Sequence, residues 1–203
     1  MSPSCSESTG VVTNCIHLCR EEDVLTPEKR AYIEDTVIPR AVSELEATLR
    51  VRLLGGTLTL ESELCGFSSV SRATVPASVR GGLTDGTSFV IMVTARPTFY
   101  SALAYALPCE TDQIGRPISG HFNWGPNAID DTQMDKQIGV ARHELFHALG
   151  FVQSKFNDFV DRDTGCVLTG DDALLKTVAD EYPTGASKPG GVQSFTSPSV
   201  VAA

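Results

Sequence analysis

Three residues in this 203-residue chain have types and spacing suited to holding a metal ion beside a base. They are His143, Glu144 and His147, in the stretch HELFHALGF over residues 143–151. Successive helix residues turn by about 100°, so two histidines four apart lie about 40° apart, one turn above the other, on one face. Imidazole nitrogens are good zinc ligands, and a catalytic zinc site takes three protein ligands with a fourth position open for water or substrate. Glu144 sits too close in sequence to chelate the same ion comfortably. It flanks the open position, where a carboxylate can take a proton from an attacking water. The competing reading is two surface histidines on an amphipathic helix, and the continuation Ala148-Leu149-Gly150 weighs against it.

Two ligands and a base leave the third ligand to be found. In the metzincin pattern HExxHxxGxxH it is a histidine three residues after the glycine. That position here is Gln153, and no histidine follows it. The other histidines, His17 and His121, both lie upstream, and a ligand from His121 would be an unusual topology. Glu181 is a further candidate, in the manner of zincins that use a glutamate, although it lacks their local motif. Asp158, Asp161, Asp163, Asp171, Asp172 and Asp180 also lie downstream. The acids of DFVDRDTG read more naturally as a solvated turn.

The motif needs a helix packed on a sheet. A helix from Thr132 to about Leu149 carries it, with Met134, Ile138, Ala141, Leu145 and Ala148 expected on the core side and Gly150 turning the chain out. An earlier helix starts at Thr26-Pro27-Glu28, which supply a cap, a first-turn proline and a favourable charge. It should run to about Arg50 on an apolar stripe of Ile33, Val37, Ala41, Leu45 and Leu49, with a kink at Pro39. Between the helices the spacing predicts strands at Thr57–Leu60, Phe67–Val75, Ser88–Thr94 and Gly120–Trp124. SFVIMVT, the most hydrophobic stretch, reads as the central strand. Ser101–Leu107 is alanine-rich and Asp112–Pro117 reads as a turn. From residue 152 onward Gly, Pro, Ser, Asp and Thr accumulate, and a loop-rich segment is expected.

A net charge of −9, with acids spread along the chain, argues against phosphate-mediated nucleic-acid binding. No apolar run is long enough for a transmembrane helix, and MSPSCSESTG does not read as a signal peptide. Six cysteines stand at 5, 15, 19, 65, 109 and 166, without CxxC or zinc-ribbon spacing. The even count is compatible with disulfides in an oxidising compartment, and buried free thiols are the alternative.

Several blocks in order resemble the leishmanolysin family of metzincin proteases, also called major surface or invadolysin-like peptidases. HELFHALGF is similar to that family's HE-x-x-HALGF signature, and VLTPEKRAYIEDTVIPRAV to its first-helix block. ELCGFSSVSRATVP and ALPCETDQIGRPISGHFNWGP are similar to two cysteine-bearing blocks around the central strand. The likeness covers roughly residues 15–155.

What the resemblance implies is an α+β fold: a metzincin-like N-terminal catalytic subdomain, with a twisted mixed sheet, a backing helix and an active-site helix. The expected organisation is an irregular Cys-containing segment at 1–22, the catalytic subdomain at 23–151 and a loop-rich insertion at 152–203. The family's third histidine follows a long insertion, so Gln153 is no contradiction. That histidine, the Met-turn and the C-terminal subdomain would then lie beyond residue 203. The implied activity is zinc-dependent endopeptidase chemistry, with His143 and His147 on Zn2+, Glu144 as general base and polypeptides as substrates. The strand at Gly120–Trp124 is expected to be the sheet edge on which a peptide aligns, making Gly120, His121, Phe122 and Asn123 substrate-binding residues. The family also implies an extracellular or membrane-attached setting and a link to cell adhesion. It further implies a Cys65–Cys109 disulfide and a partner for Cys19 in Cys15 or Cys5, and it offers none for Cys166. A non-catalytic binding or adhesion module, or a degenerate pseudoprotease, is the alternative function.

Overall fold

The computed structural model describes residues 20–49, 56–66, 72–98, 102–161, 164–168, 175–178 and 192–195. Contacts divide the chain into two units, Met1–Gly150 and Phe151–Ala203.

The first unit opens with α1 (Pro27–Tyr32), a π-helical turn (Ile33–Val37) and α2 (Ile38–Thr48), read continuously as one long rod. Thr26 Oγ1 accepts the Lys29 N–H at 3.3 Å, the cap its position foretold. The apolar stripe explains the wide turn. A spacing of four drifts about 40° per step around an ordinary helix. A turn with an i→i−5 bond, here Ile38 N–H to Ile33 O, absorbs an extra residue and keeps Ile33 and Val37 facing the core. It also stands just before Pro39, whose missing N–H and ring would disturb a regular turn. The expected kink is therefore a π-turn. Ile33, Val37, Ala41 and Leu45 are all buried.

Five strands follow: β1 (Leu64–Cys65), β2 (Ala73–Thr74), β3 (Val90–Ala95), β4 (Ala104–Pro108) and β5 (Ser119–Trp124), with the short helix α3 (Ala77–Arg80) after β2. β1 and β2 pair antiparallel. The main sheet has the order β3-β5-β4, with β5 parallel to β3 and antiparallel to β4. This is the expected α+β class with a mixed sheet.

Three strand expectations need correction. β5, not SFVIMVT, is central: every β5 residue is buried, while β3 is largely half-buried. Thr57–Leu60 supplies only a bridge from Leu58 to Leu83. In the Phe67–Val75 segment the strand is confined to Ala73–Thr74, and residues 67–71 lie outside those described.

The helix α4 (Met134–Ala148) packs with α2 on one face of the sheet. Phe122, Trp124, Ala104, Ile138, Ala141 and Leu145 join the α1–α2 stripe in one apolar cluster. A second cluster, with Leu58, Leu60, Cys65, Val75, Met92 and Ile118, is built around the β1–β2 segment. Cys65 and Cys109 form a disulfide with Cα atoms 5.3 Å apart, joining this segment to the end of β4. That is the pairing the resemblance implied; Cys5, Cys15 and Cys19 lie outside the described residues. Asp112–Pro117 forms the expected turn, closed by Asp112 N–H to Arg116 O at 2.8 Å.

In the second unit, Gln153–Asp158 is a 3-10 helix, Val160 bridges Val167, and β6 (Leu175–Val178) pairs antiparallel with β7 (Val192–Phe195). This paired ladder was not foreseen in a segment expected to be loop-rich. Cys166 is a free, exposed thiol.

Candidate metal centre

Helix α4 positions the motif by burying one face. Ile138, Ala141, Leu145 and Ala148 are buried as expected, whereas Met134 is exposed at the first turn. Gln137 and Glu144 are buried too. The close approach of helix to sheet depends on Gly120: a Cβ there would lie 2.8 Å from the Ala148 Cβ and 3.1 Å from the Leu107 carbonyl oxygen. After Ala148 the helix ends over Leu149 and Gly150, whose φ of 103° suits glycine. The Gly150 N–H bonds to His147 O at 3.0 Å.

His143 is exposed and His147 half-buried, and their rings meet nearly at right angles (86°) with centroids 4.7 Å apart. Their Nε2 atoms converge to 3.1 Å. Two nitrogens each about 2.05 Å from one tetrahedral zinc would stand about 3.3 Å apart. The pair therefore fits a shared zinc ion with almost no movement.

Glu144 is 8% exposed and points toward β4. Burial pushes its carboxyl above the ordinary range, opposed by the nearby His147 and His143 and by the Ala106 backbone N–H. The strand bonding explains why Ala106 is available. Gly125 N–H bonds to Leu103 O and Cys109 N–H to Ser119 O, which fixes the alternation along the antiparallel pair. Tyr105 and Leu107 then exchange bonds with Asn123 and His121. Ala104 and Ala106 turn their backbone groups to the edge of β4 that is open among the described residues, and Pro108 has no N–H to offer there.

Between this edge and α4 lies a cleft of about 450 Å³, lined by Leu103 and Ala104 on one side and Lys136, Gly139, Val140, His143 and Glu144 on the other. The alanine-rich stretch gave little sign of this strand. Its only signals were the alternating Tyr105 and Leu107, and Pro108 at the end, where an edge strand tolerates proline.

Gly120, His121, Phe122 and Asn123 are not on an edge. β3 and β4 flank β5, so its two hydrogen-bonding edges are already taken and none is left to receive a peptide. His121 is fully buried in a polar network. Asn123 Nδ2 donates to Arg96 O, so its Oδ1 accepts the Thr94 hydroxyl proton at 2.8 Å. That hydroxyl has no second proton, so the 2.8 Å contact between Thr94 Oγ1 and His121 Nε2 is donated by the imidazole. The Nε2 of His121 is thus protonated and turned into the fold, and it is not offered to a metal.

Among the described residues no three His, Cys, Asp or Glu side chains gather into a metal-holding group. Asp158 pairs with Lys155 at 3.1 Å, and Asp161 accepts the Thr164 N–H and hydroxyl in a turn, as DFVDRDTG suggested. His17, Asp163, Asp171, Asp172, Asp180 and Glu181 lie outside the described residues.

A family model described as leishmanolysin matches residues 3–173. The chain belongs to the leishmanolysin family. It is 33% identical over 143 residues to the leishmanolysin of Leishmania amazonensis, an alignment covering 68% of this chain and 23% of that protein. A leishmanolysin-like peptidase of Drosophila melanogaster is 28% identical over 185 residues, covering 68% and 27%. A leishmanolysin homolog of Crithidia fasciculata is 26% identical over 159 residues, covering 76% and 24%. The chain thus spans about a quarter of the length of these relatives. Family membership suggests a metalloprotease. No helix among the described residues is long and apolar enough to cross a membrane.

Proposed function

We propose that this chain carries the zinc-binding helix and cleft wall of a leishmanolysin-type endopeptidase. The observation behind this reading is the convergence of the His143 and His147 Nε2 atoms to 3.1 Å, with the buried Glu144 carboxylate beside them at an open strand edge. His143 and His147 would hold the zinc, and a third ligand comes from a histidine far downstream of Gly150, as the family's pattern implies. Zinc, when bound, supplies Lewis acidity, lowering the pKa of water and polarising a carbonyl.

The rest is the work of the chain's own residues. Glu144 accepts the proton of the attacking water, and burial makes its carboxylate a readier acceptor than an exposed one. The Ala106 N–H holds that carboxylate in place. The edge of β4 takes the docking role first expected of Gly120–Trp124, offering the Ala104 N–H and C=O and the Ala106 C=O to an extended polypeptide. An extracellular or membrane-attached setting goes with this reading.

In the full-length, zinc-loaded protein, Glu144→Gln should lower kcat/KM on peptide substrates by about 10²–10⁴-fold. A variant that keeps its rate would refute the base assignment. A second reading is a non-catalytic binding module, in which the exposed His143 and half-buried His147 hold zinc only weakly. Zinc titration of this 203-residue chain separates the two. Weak binding, restored to tight binding in the full-length protein, supports the protease; weak binding in both supports the module. Tight one-to-one binding by the short chain alone would point to a ligand within it, Glu181 first, which Glu181→Gln would test.

A further inference from the structure

The cleft beside Glu144 has one strongly charged feature that zinc chemistry does not use. Lys136 lies seven residues before His143 on α4 and lines the opposite end of the same cleft. Leu103, Ala104, Gly139 and Val140 complete the lining, so the surface between His143 and Lys136 is apolar. Seven helix residues span about 10 Å. An extended peptide advances about 3.3 Å per residue, so along a peptide lying parallel to α4 Lys136 stands about three to four residues from the bond at Glu144.

Among the described residues Lys136 has only a long internal hydrogen bond to hold it. Its Nζ makes a long 3.3 Å bond to Gln133 Oε1, and it forms no ion pair among the described residues. Asp130, an acid it influences, already accepts the Thr132 N–H and hydroxyl and the Gln133 amide. The chain's net charge of −9 repels acidic peptides at long range. An acid preference would therefore have to arise locally, within the roughly 8 Å over which charge survives physiological salt.

We infer that Lys136 is a specificity-determining residue: the cleft selects polypeptides carrying Asp or Glu two to four residues from the cleaved bond, on one side of it only. The inference rests on the proteolytic reading above. An apolar side chain would lie along Val140 and Leu103, and the acid would meet the Lys136 ammonium.

The test uses the full-length, zinc-loaded enzyme and synthetic peptides in which Glu or Gln is stepped through the positions on both sides of the cut. The expected ratio of kcat/KM, Glu over Gln, is about three- to tenfold at one such position, shrinking at high salt. It should fall to near one in Lys136→Gln, recover in Lys136→Arg and turn below one in Lys136→Glu. Binding of the same peptides to the Glu144→Gln protein should show the same order without turnover. Lys136 is exposed, and unchanged far-UV circular dichroism checks that each variant is folded. A ratio that ignores the residue at 136 overturns this inference alone. An enzyme that cleaves no peptide overturns the proteolytic reading, and this inference with it.

Discussion

Histidine serves two different purposes in this fold. His143 and His147 sit on one side of α4 with their Nε2 atoms 3.1 Å apart, and His143 lines a cleft. His121 sits in the central strand, fully buried, with its Nε2 proton given to Thr94. On the helix, a period of 3.6 gives one buried stripe and leaves a polar face free for chemistry. On a central strand both faces are buried, so a histidine there must be absorbed by hydrogen bonds. The same side chain is a proposed metal ligand in one place and a structural element in the other. Substitutions on the two elements should accordingly separate chemistry from stability.

The largest structural effect is expected on the strand side. Phe122→Ala empties the centre of the main cluster and should cost about 3–5 kcal/mol of unfolding free energy, measured by denaturant titration. A loss below about 1 kcal/mol would mean that β5 is not the packing centre. Next comes the tie between the β1–β2 segment and β4. The disulfide closes a loop spanning 44 residues, and Cys65→Ala/Cys109→Ala should cost about 2–4 kcal/mol. No change in the denaturation midpoint would remove the link from the account.

The smallest effect sharpens the contrast through pH. Tyr105 on β4 packs edge-on against His121, with ring centroids 5.9 Å apart. Burial raises its hydroxyl pKa above the ordinary 10.0, partly offset by the Arg96 cation. The unfolded chain then releases this proton before the folded one does. Stability should fall as pH rises from about 10 toward the folded value, a loss absent below that range. Tyr105→Phe should flatten this part of the profile. Identical slopes in the parent and the variant would contradict the burial argument.

The helices and the motif were legible because they rest on local periodicity. Thr26, Pro27 and the Ile33–Leu45 stripe marked the first rod, and HELFH lay on an amphipathic face. Strand order was not legible, because it is set by contacts distant in sequence. SFVIMVT looked central by hydrophobicity, yet β3 lies at the side of the sheet, half-buried. Gly120–Trp124 was expected at an edge from the family's way of docking a peptide, yet β5 is buried throughout. Its His121 Nε2 and its Asn123 amide are hydrogen-bonded to Thr94 and to the Arg96 carbonyl, partners that no local pattern reveals. For the same reason β4 was missed: alanine has no strand preference, and only its pairing with β5 makes Ala104–Pro108 a strand. The open edge and the Ala106–Glu144 contact follow from that pairing.

The central claim is that the zinc pair is His143 with His147 and that His121 belongs to the fold. Zinc content per chain, measured on purified full-length protein carrying His143→Ala, His147→Ala or His121→Ala, tests it directly. The first two should lose the metal while keeping most of their stability, and the third should keep about one zinc while unfolding more readily. Zinc retained without His143 or His147, or lost from a folded His121→Ala protein, would contradict the account.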